Sequence, residues 1–355
     1  MSAISSYRSD IDGLRALAVG SVLLFHLSPV VLPAGYLGVD IFFVISGYLL
    51  TGIIWAEMQE GRFSLAHFYK RRVRRILPAL IFLLLVISAL SVMILLPRDL
   101  IGYGKSVVSS LLFVQNIYFW RDTNYFSANA DEKPLLNLWS LGIEEQFYIF
   151  VPLMLLCALK LFRNKVLYFA IFFVVLSYAF NWALNAKGGS SPAFYLLPSR
   201  AWELGAGAVV ALTGRQFNNN YVATGCFVLM VSGLIWPIAP LSNMPDGTIP
   251  VFAAAMFLWI GAPTGSLLGN ILKMSPINLF GKISYSVYLW HWPLIVLAKY
   301  RLVRELEPYE LIAIGVISVL IGFISWRWVE EPFRRRGMPF AFIGWSALLG
   351  YSLVS

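Results

Sequence analysis

Of the three histidines in the 355-residue chain, His26 stands eleven positions after Arg15 on the first apolar run. At about 100° per residue that separation makes roughly 1100°, three turns plus about 20°, so the two side chains share one helix face. Their axial offset of about 16 Å is half of a ~30 Å hydrocarbon layer, which sets Arg15 near one boundary and His26 deep, towards the other half. A neutral imidazole at that depth can take and return a proton as a general base, and an ionisable residue within a membrane is by default a functional hypothesis. A histidine bonded between helices for packing is the competing reading.

A second group is basic. Phe68-Tyr69-Lys70-Arg71-Arg72-Val73-Arg74-Arg75 directly precedes an apolar helix that opens with Ile76-Leu77-Pro78. On a helix Arg71, Arg74 and Arg75 group on one side with Arg72 nearby, and their planar guanidinium forks suit phosphate. A topology signal that also touches anionic lipid head groups would explain any single arginine, but five basic residues in six exceed what orientation needs. An anionic ligand is therefore expected there.

Acidic residues form a third group at the expected outer helix ends. They are Asp40, Glu144 in Trp139-Ser140-Leu141-Gly142-Ile143-Glu144-Glu145-Gln146-Phe147-Tyr148, and Glu203 beside Arg200. All three are expected at the depth of His26, where a carboxylate could orient an imidazole and stabilise its charge. Arg200 and Glu203, at i and i+3, are spaced for a structural ion pair. The stretch Ser284-Tyr285-Ser286-Val287-Tyr288-Leu289-Trp290-His291-Trp292-Pro293 puts His291 near mid-membrane, as a second site residue or as packing, and Pro293 is expected to loosen the helix beside a protein-enclosed cavity. His67 falls in an inner loop and is expected to be inert.

The elements that must position these residues follow from composition. Hydrophobic residues make up 59% of the chain and charged ones 13%, where a soluble domain carries roughly a quarter charged. Several apolar runs approach the ~20 residues a crossing helix needs, and the alternation of a barrel is missing. The expected spans are 13–32, 36–56, 76–96, 139–160, 165–184, 199–213, 221–239, 249–263, 282–299, 309–329 and 338–355. The fold class is thus all-α, a polytopic transmembrane bundle of about ten core spans plus one C-terminal span. Residues 97–138 are expected outside, with a short or re-entrant helix within Ser106–Trp120, because Gly102, Gly104, Asn116 and Arg121 interrupt or flank that stretch.

With the N-terminus cytoplasmic, this arrangement puts 18 of the 27 basic residues on the inner side, in keeping with the enrichment of Lys and Arg in cytoplasmic loops. A full crossing at 106–120 would push Arg334, Arg335 and Arg336 outward. The polar start through Asp12, followed by an apolar stretch that carries Arg15 and no small-residue cleavage pattern, argues against a removable signal peptide. Cys157 and Cys226 lie in apolar runs and read as packing residues. The sequence holds no phosphate-loop pattern, dinucleotide fingerprint or metal-ligand cluster, so no metal is expected. The net charge of +9 belongs to membrane orientation, which makes nucleic acid a poor partner.

Taken in order, these segments resemble the acyltransferase-3 family of integral-membrane acyltransferases, specifically members that O-acetylate bacterial surface polysaccharides. The resemblance runs from Tyr7 to about Arg336. It rests on Arg8-Ser9-Asp10-Ile11-Asp12-Gly13-Leu14-Arg15 with His26 beyond it, on Gly38-Val39-Asp40-Ile41-Phe42-Phe43 with Ser46-Gly47-Tyr48, and on the arginine cluster. The segments Trp139–Tyr148 and Tyr288–Pro293 complete it.

The resemblance implies transfer of acetyl from acetyl-CoA to a hydroxyl of a lipid-linked or surface glycan (O-antigen, exopolysaccharide or peptidoglycan), in the bacterial cytoplasmic (inner) membrane. It equates His26 with the family's essential histidine, Glu144 with its glutamate, and Arg71 and Arg74, overlapping Arg72 and Arg75, with its arginine-x-x-arginine motif. His26, Glu144 and Asp40 are accordingly expected to be catalytic. Arg15, Arg71, Arg72, Arg74 and Arg75 are expected to hold the acetyl-CoA nucleotide, whose charges cannot enter hydrocarbon cheaply, and Arg200, Glu203 and His291 to bind the acceptor. A relay through an acetylated residue is an alternative to direct transfer.

The longest relatives carry an extracytoplasmic hydrolase-like domain. Residues 1–336 are therefore expected to form the membrane acyltransferase domain, and 337–355 a further transmembrane helix leading towards such a domain. The competing functional class is a transporter or flippase of a lipid-linked or acylated sugar; a lipid-binding scaffold or sensor is the third.

Overall fold

The structure is a computed structural model that describes residues 8–122, 132–162, 165–214, 217, 219–236, 244–261 and 265–336. Among these residues the chain is helical, with no strand. In order the helices are α1 (Ser9–Leu27), α2 (Gly38–Gln59), α3 (Leu65–Ile94), α4 (Pro97–Leu111), α5 (Gln115–Asp122), α6 (Trp139–Phe162), α7 (Val166–Ala186) and α8 (Ser190–Tyr195). They continue with α9 (Leu197–Thr213), α10 (Asn220–Ile235), α11 (Thr248–Ile260), α12 (Leu267–Lys273), α13 (Ser275–Leu302), α14 (Pro308–Ser325) and α15 (Glu331–Arg336). The expected span at 338–355, and with it the 337–355 segment, lies outside the described residues.

This is a multi-pass membrane protein, and its surface says so. Long apolar side chains face outward in rows, such as Phe172, Leu176 and Phe180 on α7 or Val316, Leu320 and Ile324 on α14. Asp10, Asp12, Asp40, Arg200, Glu203 and Glu330 are buried. Exposed apolar faces of that extent mark contact with lipid or with another protein, and charges inside a membrane turn to the bundle interior. Five helices are both long and apolar enough to cross by themselves, in the segments Gly35–Gln59, Leu65–Ile94, Leu136–Phe162, Val166–Ala186 and Pro308–Arg335. The other expected spans are short, as in α10 and α11, or carry the interior charges, as in α1 and α9.

Two parallel helix pairs make the centre. In the first, α2 and α9 touch backbone to backbone, with Gly47 on the Leu204 carbonyl and Gly207 on the Val44 carbonyl. A β-carbon at either glycine would collide, which is the way small residues let membrane helices approach. In the second, α1 lies along α13, where Gly281 meets the Asp12 backbone and the Asn278 amide donates to the Ser9 carbonyl at 2.9 Å. Burial separates centre from rim: 83% of the most apolar stretch of Gly35–Gln59 lies inside the protein, against 17% for Val166–Ala186.

Local chemistry sets several ends. Ser64 caps α3 through the His67 N–H, Asn219 caps α10, and Glu307 with Glu310 forms a capping box ahead of Pro308 on α14. Residues 97–138 do not form one helix. Phe113, with φ of 55°, breaks α4 from α5, and Gln146 of α6 donates to the Phe113 carbonyl at 3.0 Å. The expected loosening at Pro293 does not interrupt α13, which is continuous through it.

Candidate active site

His26, near the end of α1, and His291, on the parallel α13, meet with His26 Nδ1 3.0 Å from His291 Nε2. His291 Nδ1 in turn lies 2.7 Å from the Tyr288 carbonyl oxygen. A carbonyl only accepts, so His291 carries its hydrogen on Nδ1 and offers the Nε2 lone pair to the Nδ1–H of His26. The chain of bonds leaves His26 Nε2 as a free lone pair, the atom a general base needs. The Tyr288 carbonyl also accepts from Asn137 Nδ2 at 2.8 Å. Trp292 closes one side of the imidazole, its ring centroid 4.7 Å from that of His26.

The expected carboxylate partner of His26 is therefore replaced by an imidazole. Asp40 is committed elsewhere, paired with Arg200, which also holds Glu203 at 2.9 Å. That triad crosses from α2 to α9 and is roofed by Phe43, Trp139 and Phe194 around the guanidinium. Glu144 is also corrected. Rather than sharing the layer of His26, it accepts from Ser46 and Tyr148. Ser46 is six residues below Asp40 on α2, about 9 Å deeper at 1.5 Å per residue.

Glu144 belongs instead to a buried cluster with the arginines. Arg72 lies 5.3 Å over the Tyr148 ring, and it and Arg75 are within electrostatic range of Glu145, with Glu144 alongside. Glu330 approaches Arg15 and Arg75 and accepts from Ser286 at 3.2 Å. It sits in the π-helical turn Trp326–Glu330, a departure from α geometry that is frequent at functional sites. The inward arginines are thus Arg72 and Arg75, on the face of α3 that also buries Phe68, Ile76 and Ala79. Arg71, expected among them, is held outside by Glu57 of α2 at 2.7 Å. Arg74 keeps a buried Nε with no partner, and Arg15 lies beside Asp12 at 3.5 Å and over Phe42.

Two cavities lie between the histidine and this cluster. The upper, of about 90 Å³, is lined by His26, Asp40, Asn137, Arg200 and Trp292 among others. The lower, of about 20 Å³, is walled mostly by apolar residues such as Val19, Phe42 and Phe43, with Ser140, Glu144, Tyr285 and Tyr288 as its polar members. They share Val22, Val39 and Tyr288 as walls. Tyr285 continues the line, donating at 3.1 Å to the Ile76 carbonyl one residue past Arg75. His26 thus faces the interior, above a line of polar residues, Ser140, Glu144 and Tyr285, set in a mostly apolar lining on the side towards Arg72 and Arg75. Glu203 and His291, expected to bind acceptor, are not among the lining residues of the upper cavity; Arg200 is.

Glu145, Glu330, Asn137 and Trp292 were not singled out as site residues. Glu330 had a signal in the sequence, a pair of glutamates directly before Pro332 and the arginine run. Asn137, an amide between leucines, had almost none.

A helical membrane bundle with a cavity-facing imidazole bonded to a second, buried one, and with buried arginines, is compatible with membrane group transfer, and comparison with known proteins defines the family. The family model described as "Acyltransferase domain" matches residues 8–327, and the chain belongs to this acyltransferase-3 family. It is 31% identical over 357 residues to O-acetyltransferase OatA of Staphylococcus aureus, covering 95% of this chain and 59% of that protein. It is 31% identical to peptidoglycan O-acetyltransferase OatA of Listeria monocytogenes, covering 93% and 56%. It is 30% identical to the putative peptidoglycan O-acetyltransferase YrhL of Bacillus subtilis, covering 93% and 55%. The chain thus spans somewhat more than half the length of these curated relatives. No solved structure matches it.

Proposed function

We propose that the chain is a membrane O-acetyltransferase that moves acetyl from cytoplasmic acetyl-CoA to a hydroxyl of a bacterial surface glycan on the far side of the inner membrane. The N-terminus and the arginine end are cytoplasmic in this account. The observation that carries it is the hydrogen-bond chain from the Tyr288 carbonyl through His291 to His26, which presents a lone pair on His26 Nε2 beside a cavity that adjoins a line of polar groups reaching the arginines. The names of the relatives favour peptidoglycan as the acceptor.

Arg72 and Arg75, with Arg15 and Arg74, are suited to the phosphates of the donor through charge-assisted hydrogen bonds. The unpartnered Arg74 Nε is a donor in want of such an acceptor. The uncharged pantetheine arm follows the polar line towards His26. There Nε2 takes the proton of the acceptor hydroxyl as its oxygen attacks the thioester carbonyl carbon. The carbon–sulfur bond breaks, and the proton returns from His26 to the departing thiolate, leaving an acetyl ester and free thiol. General-base assistance of this kind contributes roughly 10²–10⁴-fold in rate.

The test combines purified full chain in nanodiscs, radiolabelled acetyl-CoA and a glycan acceptor, with mass spectrometry of surface glycans from cells with and without the protein. The proposal expects acetyl ester formation that is lost in His26→Ala at unchanged protein level. Full activity of His26→Ala, or glycan masses that never differ by one acetyl group, would overturn it. Sugar uptake into vesicles without acetyl-CoA would favour a transporter.

A further inference from the structure

The upper cavity presents a buried hydrogen-bond acceptor that has no donor, with further acceptors beside it and at its mouth. Asn137 is only 4% exposed, and its Oδ1 is buried with no partner. The residue itself is held firmly: Nδ2 donates to the Tyr288 carbonyl at 2.8 Å, and the Tyr288 hydroxyl donates back to the Asn137 carbonyl at 2.8 Å. Asn137 therefore cannot turn to satisfy Oδ1 without breaking a bond. His26 Nε2 is a second acceptor on this wall, by the tautomer argued above. Towards the mouth, Asn185 gives its Nδ2 to Asn181 at 2.8 Å and so presents Oδ1, and Asp246 adds an exposed carboxylate.

A buried acceptor without a donor costs about 1–3 kcal/mol, so a wall that holds one among other acceptors favours a ligand that brings O–H or N–H groups. Phosphate is the wrong partner. The one cation lining the cavity among the described residues is Arg200, whose charge is already met by Asp40 and Glu203, with only its Nε left without a partner. The wall also includes Trp292, an aromatic surface that suits the C–H face of a sugar ring. We infer that this cavity is the acceptor-glycan subsite, with Asn137 accepting from a sugar hydroxyl next to the one that attacks at His26 and Asn185 gripping the same saccharide at the mouth.

The inference rests on the acetyltransferase reading for its choice of ligand, and its test separates the two. Binding is measured by titration calorimetry on the full chain in nanodiscs without acetyl-CoA. The probes are chitotetraose and maltotetraose, and the proteins are wild type, Asn137→Leu and the half-buried Asn185→Ala. The expected result is saturable binding of at least one probe, weakened about tenfold by each variant, as one lost hydrogen bond to a bound polar group predicts. Asn185→Ala keeps the test decisive should Asn137→Leu fail to fold. Binding of neither probe by wild type, or binding that folded variants leave intact, overturns the subsite. Variant-sensitive binding without acetyl transfer retains the subsite and removes the acetyltransferase reading; transfer without such binding does the reverse.

Discussion

Replacing His291 with phenylalanine keeps most of the ring volume beside His26 and deletes the nitrogen that accepts from His26 Nδ1, 3.0 Å away. The Nδ1–H of His26 then has no acceptor in a buried site. An unanswered buried donor costs about 1–3 kcal/mol, and at about 1.36 kcal/mol per decade of rate that becomes a loss of roughly 5- to 150-fold in kcat. The larger figure applies if His26 also shifts to the tautomer with its hydrogen on Nε2, where the base must be empty; loss of the orienting partner in a serine-protease triad costs about 10⁴ by that route and marks the upper bound.

His291→Gln, whose Oε1 can reach towards the place of Nε2, should recover part of the loss, so the expected order is wild type, then Gln, then Phe. The assay is steady-state transfer of labelled acetyl in nanodiscs with acetyl-CoA varied. KM for acetyl-CoA should hold, because the arginines lie at the other end of the polar line. A variant pairing His291→Phe with His26→Ala should be no slower than His26→Ala alone, since the two rings act as a unit. A wild-type kcat in His291→Phe would refute the reasoning.

Other perturbations test other parts of the account. Arg72→Ala and Arg75→Ala should each raise KM for acetyl-CoA by roughly 10- to 150-fold, the worth of a hydrogen bond to a charged group, whereas Arg71→Ala, which only frees Glu57, should change it little; the same assay reads both. Arg200→Met strands Asp40 and Glu203 and should cost about 3–5 kcal/mol of stability, seen as a lower unfolding temperature in detergent. Gly47→Ala puts a methyl into the Leu204 backbone and should destabilise by about 1–3 kcal/mol by the same measurement, while Gly225→Ala, with open space around it, should not.

The helices were legible because a membrane writes them as apolar runs. The expected span at 36–56 corresponds to Gly38–Gln59, and that at 282–299 lies within Ser275–Leu302. What the runs do not carry is the register between helices. Glu144 was expected at the depth of His26 because it is close to the start of its run. Its true level is set by packing of α6 against Ser46 of α2, a contact no single run encodes.

His26 and His291 each stood out as intramembrane histidines, yet their contact spans 265 positions and depends on α1 and α13 lying parallel. The choice of Arg72 over Arg71 as an inward arginine follows from the buried stripe of Phe68, Ile76 and Ala79. That periodicity was present in the sequence but outweighed by the arginines' own spacing.

Acetyl transfer across the membrane needs a route through the protein that connects arginines on one side to an imidazole serving the other. Proteoliposomes with the full chain in a single known orientation test it when acetyl-CoA is supplied to one face and glycan acceptor to the opposite face. Acetylated glycan should form only with acetyl-CoA on the face nearer Arg72 and Arg75, and should vanish with His26→Ala. Product that forms only when both compounds share one face would contradict it.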